Sequence, residues 1–189
     1  MEYEERNEDL DQYDWAGGEE IDYQRDRYVT RIGHLIIDFS LLENTLNLAL
    51  VEAFHSGSHE TGYVVVEKLR MSDKIDLFNK MYLRMVHLQS KKGKDELQKI
   101  RARLDDANTF RNMVAHANWA TLDEERFVRT KVKIDREEGH VTFRNVKITT
   151  TLIRSKVREI QSLTNALEKF SEKAREWRFE EKPEKRKES

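Results

Sequence analysis

Three polar residues suited to phosphoryl chemistry fall together in the stretch TFRNMVAHANW, residues 109–119: Arg111, Asn112 and His116. Histidine exchanges a proton near neutral pH, so it fits a step in which a hydroxyl loses a proton or a leaving oxygen gains one. Arginine is permanently charged, and its planar fork can hold two phosphoryl oxygens at once. Asparagine can hydrogen-bond a phosphate or an imidazole. On a helix Asn112 and His116 lie one turn apart on one face. Arg111 sits about 140° from His116, so the two would flank a cleft along Asn112. With 18 arginines and 6 histidines in 189 residues, chance alone supplies about half an occurrence of this spacing, so spacing decides little.

The elements that must position these residues are mostly helical. From about Tyr23, Val29, Ile32, Ile36, Phe39, Leu46, Leu50 and Ala53 recur three and four apart, and Glu43 interrupts that line. HSGSHETG carries loop chemistry, and YVVVEKLRM reads equally as a strand or a helical turn. Ser72 suits the N-cap of a second helix, DKIDLFNKMYLRMVHL, with Asp73 in its first turn and QSKKGK as the connector beyond it. A third helix is expected from about Asp95 to Trp119, its stripe running Leu97, Ile100, Leu104, Ala107, Arg111, Val114, Asn118. The period then changes: Phe127, Val132 and Ile134, the turn DREEG, and Val141, Phe143, Val146 and Ile148 predict a β-hairpin over about 126–148. Thr149 or Thr150 can cap a last helix whose buried line is Ile153, Val157, Ile160, Leu167, Phe170, Ala174 and Trp177. Helices with short connectors make an antiparallel bundle the economical arrangement, with the hairpin inserted before the last helix.

Arg111 and Glu43 each stand where an apolar stripe should continue, and a buried guanidinium needs a partner. Two readings of that pair stay open: a structural ion pair and nothing more, or an arginine held ready for an anion while Glu43 orients it or the histidine.

Composition narrows the alternatives. The chain fits one domain, residues 23–178, between an acidic tail over 1–22 and a charged tail over 179–189. The absence of cysteine excludes disulfides and thiolate chemistry. The acidic start has no apolar h-region, and the run from Leu35 to Phe54 carries Asp38, Glu43 and Glu52, so neither a signal peptide nor a membrane span is expected and the cytoplasm is the default compartment. Residues 1–26 hold eleven acids and two bases, net −9, which leaves about +7 for the rest of a chain whose total is −2. A polyanionic partner is permitted, and the acidic segment reads as a solvated tail or as a mimic of a polyanion over a basic site. His55 and His59 lack a neighbouring acid cluster at ligand spacing, so no metal or other cofactor is expected. Phosphate-binding glycine loops and serine elbows are absent. The short basic runs KKGK and KPEKRK read as solvated, and Phe127, Phe143 and Trp119 read as packing groups ahead of base-stacking platforms.

FRNMVAHANW, preceded by a long helix containing FSLLENTLNLAL, resembles the HEPN superfamily. The hallmark of that family is an arginine followed by a polar residue, three more residues and a histidine; the likeness covers roughly Tyr28 to Trp119. It implies an all-α HEPN-like bundle, with Arg111, Asn112 and His116 at the motif positions and Glu43, Asn118 and Trp119 in support. Part of the family carries a tyrosine just after the histidine, where this chain has Asn118 and Trp119. The resemblance further implies a metal-independent endoribonuclease of a bacterial toxin, abortive-infection or antiviral defence setting. It would act as a homodimer whose two motifs share one cleft, with RNA as substrate and an antitoxin or other protein as a possible partner. The other reading it carries is a catalytically silent HEPN-like module that binds a protein or RNA.

Overall fold

The computed structural model describes residues 5–6, 19–54, 59–86, 91–123, 126–134 and 141–180, with side chains described over 26–54, 60–85, 91–117 and 148–176. The elements run β1 (Glu5–Arg6), α1 (Glu19–Ala53), α2 (His59–Glu67), α3 (Met71–Val86), α4 (Lys91–Ala115), β2 (Asn118–Asp123), β3 (Arg126–Ile134), β4 (Val141–Lys147) and α5 (Thr150–Glu180). The ambiguous segment after the first helix is therefore helical, and α4 starts within the expected connector. Ser72 lies inside α3, whose first backbone bond beyond the helix runs from the Lys74 amide to the Arg70 carbonyl at 3.0 Å. Helix α1 is long and apolar enough to cross a membrane by length and composition alone.

Two compact units divide the chain: residues 1–37 with 110–158, and residues 38–109 with 159–189. In the second, polar contacts give the helix directions. Gln161 donates to Asp38 at 3.0 Å, and Arg175 meets Glu52 at 3.2 Å, so α1 and α5 run parallel. Glu43 meets Lys74 at 2.6 Å and the Tyr82 hydroxyl donates to the Ala49 carbonyl at 3.1 Å, so α1 and α3 are parallel too. Helix α4 runs the other way: Arg101 pairs with Asp76 at 2.9 Å, Gln98 with Asn79 at 3.3 Å, and Lys173 with Glu96 at 3.0 Å. The expected all-antiparallel order thus holds only for α4. Periodicity reports which face of a helix is apolar and is silent on direction, and a further helix, α2, intervenes between α1 and α3.

The core of this unit is built from Phe39, Leu42, Leu46, Leu50, Ile75, Phe78, Tyr82, Leu97, Leu104, Leu167 and Phe170, all buried. Phe78, Tyr82 and Phe170 form an aromatic cluster with centroid separations of 4.4, 5.7 and 6.3 Å. Gly62 of α2 brings that helix close to α1: a Cβ there would lie 3.1 Å from a Val51 methyl and 3.3 Å from the Val51 Cα.

In the first unit, strands β1 to β4 form one antiparallel sheet in the order β1-β4-β3-β2. Strand β3 pairs with β4 from Val128↔Lys147 to Ile134↔Val141, and β2 pairs with β3 from Asn118↔Thr130 to Asp123↔Arg126 with an irregularity between Thr121 and Asp123. Glu5 and Arg6 of the acidic tail pair with Val146 and Asn145. Helix α5 then opens on Thr149, whose hydroxyl accepts from the Leu152 amide at 3.1 Å and whose carbonyl accepts from Ile153 at 3.0 Å. Thr149→Ala removes that cap and is expected to cost about 1 kcal/mol, read as a lower urea midpoint at unchanged slope.

The expected stripes hold at most positions and shift by a residue at a few. Phe39, Leu46, Leu50 and Ala53 on α1, Leu97, Ile100, Leu104, Ala107 and Val114 on α4, and Ile153, Ile160, Leu167, Phe170 and Ala174 on α5 are all buried. On α1, Tyr28 and Leu35 are buried while Val29 and Ile36 are exposed, and Leu42 is fully buried beside a half-buried Glu43. The run offers adjacent apolar residues at 28–29, 35–37 and 41–42, so two phases a residue apart satisfy the same 3.6-residue period. On α5 the interior line takes Lys156, 3% exposed, in place of Val157. The α4 register is taken up below. Trp177 and the side chains of the expected hairpin lie outside the described ones.

Candidate functional site

The motif lies at the C-terminal end of α4. Ala107 is followed on the buried line by Phe110, 1% exposed, and then by Met113 and Val114. A three-and-four alternation from Ala107 admits either 110 or 111, and the two side chains differ sharply in what burial costs them. An aromatic ring gains from leaving water, whereas a guanidinium loses its hydration. Phe110 therefore takes the interior and Arg111 is half-buried at the boundary. The expectation that Arg111 continues the core stripe is overturned, and with it the need for a buried counter-charge.

The expected partner is engaged elsewhere. Glu43 belongs to the other unit, where its carboxylate accepts from the Lys74 ammonium at 2.6 Å. The side chains of that pair are 31% and 5% exposed, so the lysine is the group committed to the interior. Breaking such a pair strands the buried partner. Glu43→Ala is accordingly expected to lower stability by about 1–3 kcal/mol, checked by denaturant unfolding, with Glu43→Gln losing less because the amide oxygen can still accept. Arg111 and Asn112 have interactions of their own.

Asn112 is half-buried and His116 exposed, one turn apart. The His116 amide donates to the Asn112 carbonyl at 3.1 Å, so this face keeps helical geometry through the last turn. The helix ends at Ala115, earlier than the expected Trp119, and Ala117 closes the turn by donating to the Val114 carbonyl at 3.5 Å. His116 is thus placed just beyond the C-terminal end of the helix.

Asn118 and Trp119 leave the helix and open β2, paired with Thr130 and Arg129. Their expected placement on the α4 stripe is corrected by that strand. Asn118, Trp119 and Thr121 rank low for helix, Trp and Thr rank high for strand, and a pairing partner was available in β3.

Sequence reasoning passed over a further cation. Lys156 of α5 is buried, its Nζ 5.9 Å from the centroid of Phe110, the residue immediately before Arg111. A lysine three residues after Ile153 and four before Ile160 was a legible signal. Val157 competed for the same stripe position and, being apolar, looked the better occupant. The arrangement places a buried positive charge over the ring that anchors the motif helix.

Among the described residues no group of three or more His, Cys, Asp or Glu is arranged to hold a metal ion. His55 lies outside the described residues and the side chain of His59 outside the described side chains. Comparison of the chain with protein-family models, with curated proteins and with solved structures finds no match.

Proposed function

We propose that this chain is a HEPN-like, metal-independent endoribonuclease acting as a homodimer in a bacterial toxin or antiviral defence setting. One observation carries the reading: the end of α4 presents Arg111, Asn112 and His116 together at the boundary of the fold, half-buried, half-buried and exposed. In this reading the adjacent 2'-hydroxyl of the RNA attacks the phosphorus while an imidazole takes its proton, and a second imidazole returns a proton to the leaving 5'-oxygen. One chain supplies one such histidine, so the second comes from His116 of a second copy. Arg111 offsets the charge that gathers on the phosphoryl oxygens, and Asn112 orients phosphate or imidazole. Exposure of His116 suits this role because both substrate and partner copy must reach it.

A second reading, a catalytically silent module that binds a protein, is favoured by the apolar residues α1 leaves exposed, among them Ile37 at 63% and Leu41 at 57%. The two are separated by incubating the purified chain with total RNA in EDTA. Fragments ending in 2',3'-cyclic phosphate, absent with His116→Ala, are the expected result. Intact RNA, or cleavage that survives the substitution, would sink the enzyme reading.

A further inference from the structure

One face of the sheet gathers a compact group of four bases. Successive strand positions alternate between faces, and residues directly opposite one another share a face. Arg129, Lys131 and Lys133 therefore fall on one face of β3. The pairing Lys131↔Arg144 puts Arg144 on that same face, and Trp119↔Arg129 and Thr121↔Phe127 add Trp119 and Phe127. The opposite face takes Val128, Val132, Ile134, Val141 and Phe143, with Lys147, Arg126 and Arg6 toward its far end. Neither β3 nor β4 contains an acid.

Like charges directly across a ladder repel and destabilise the sheet. Here Lys131 faces Arg144, with Arg129 two positions to one side on β3 and Lys133 two to the other. Such a cluster, with no carboxylate in either strand and Glu5 of β1 the acid that the register brings to its edge, favours an anion laid across it. Chain continuity ties it to the motif: β2 begins two residues after His116, and Trp119, three residues after it, sits in register beside Arg129.

We propose that this face of the sheet is a track for single-stranded RNA, its phosphates neutralised by Arg129, Lys131, Lys133 and Arg144 and its bases offered Trp119 and Phe127. The track leads to His116. The inference rests on the RNA reading of Arg111 and His116 and supplies what those residues lack, a surface that holds the substrate strand. Regular spacing of bases along paired strands suits a sequence-independent backbone grip, with stacking on aromatics tolerant of base identity. The row Glu5–Val146–Arg129–Trp119 brings one acid of the N-terminal segment to the edge of the same face, which makes that segment the rival occupant.

The test is fluorescence anisotropy of a labelled mixed-sequence 20-nucleotide RNA in EDTA, in the His116→Ala background so that the probe survives, from 50 to 200 mM salt. Each neutralised phosphate on a single strand contributes about 0.7 to the slope of log affinity against log salt. Lys131→Gln with Arg144→Gln should therefore reduce that slope by about 1.4, so the parent loses about 7-fold more affinity than the double variant across this range. Arg129→Gln with Lys133→Gln, checked like the first pair by circular dichroism, gives an independent reading should one pair fail to fold. Parent-like affinity and slope in the folded variants overturn the proposal. So does absence of RNA binding by the parent; if deleting residues 1–17 then shifts the unfolding midpoint of the parent but not of the double variant, the face belongs to the acidic segment. Binding with the expected slope change but no cleavage by the wild type would fell the enzyme reading and leave this one standing.

Discussion

His116→Ala is expected to reduce RNA cleavage by at least about 100-fold while leaving the fold intact. The magnitude follows from what a positioned acid or base contributes to proton transfer, typically 10²–10⁴-fold. The structural half of the prediction follows from exposure: His116 is exposed at the helix end and fills no part of the core, so removing the imidazole creates no cavity. Its amide bond to the Asn112 carbonyl is made by the backbone and survives the substitution. The measurement is single-turnover cleavage of a defined RNA in EDTA, with thermal unfolding of both proteins alongside. A variant that unfolds at the parental temperature and cleaves at the parental rate would contradict the proposed chemistry. Because the shared cleft takes one imidazole from each copy, excess His116→Ala chain mixed with the parent should also lower the parent's cleavage, since mixed dimers keep only one of the two histidines.

Phe78→Ala is expected to cost about 3–5 kcal/mol, the largest effect on stability of any change considered, and to lower the unfolding midpoint by roughly 10 °C. Phe78 is fully buried, 4.4 Å by centroid from Tyr82 and 6.3 Å from Phe170. Truncation therefore opens a cavity where α3 packs on α5 and also removes two aromatic contacts. Tyr82 is held in place by its hydroxyl bond to the Ala49 carbonyl, which prevents its ring from moving to fill the space. Phe78→Leu, which retains most of the volume, should lose clearly less. Equal losses for the two substitutions, read from chemical denaturation, would show that packing at this position is not the source of the stability.

How much of this was legible beforehand differs from element to element. The cap of the last helix could be read to within one residue, Thr149 or Thr150, because a threonine hydroxyl before an apolar-periodic run satisfies amides of the helix it opens, and the structure selects Thr149. The long helices were legible for a similar reason: no proline interrupts them and their apolar residues recur at the helical period. Asn112 and His116 were identifiable as sharing a helix face, with Arg111 flanking it, since both relations depend only on spacing.

Most of each stripe was legible, but single positions along it were not. Phe110 and Arg111 both continue the line from Ala107, Leu42 and Glu43 both continue the line on α1, and Lys156 and Val157 compete on α5. In each case one residue, about 100° of rotation, separates the candidates, and the choice depends on which partner side chains wait across the interface. Lys156 shows that the apolar candidate does not always win: it is buried, with its ammonium 5.9 Å from the centroid of the Phe110 ring.

The sequence by itself therefore determined what is local about this protein: its helical elements, the cap of the last helix, and a motif of arginine, asparagine and histidine on one stretch of helix. Only the tertiary structure decided that Glu43 answers Lys74, that Arg111 stands at the boundary with Phe110 inside, that α1, α3 and α5 run together against α4, and that the chain leaves the motif as a strand. Local geometry follows from backbone dihedrals and periods that each segment carries with it. Partners, directions and strand pairings are set by contacts between segments far apart in the chain, where several solutions satisfy the same pattern and packing selects one.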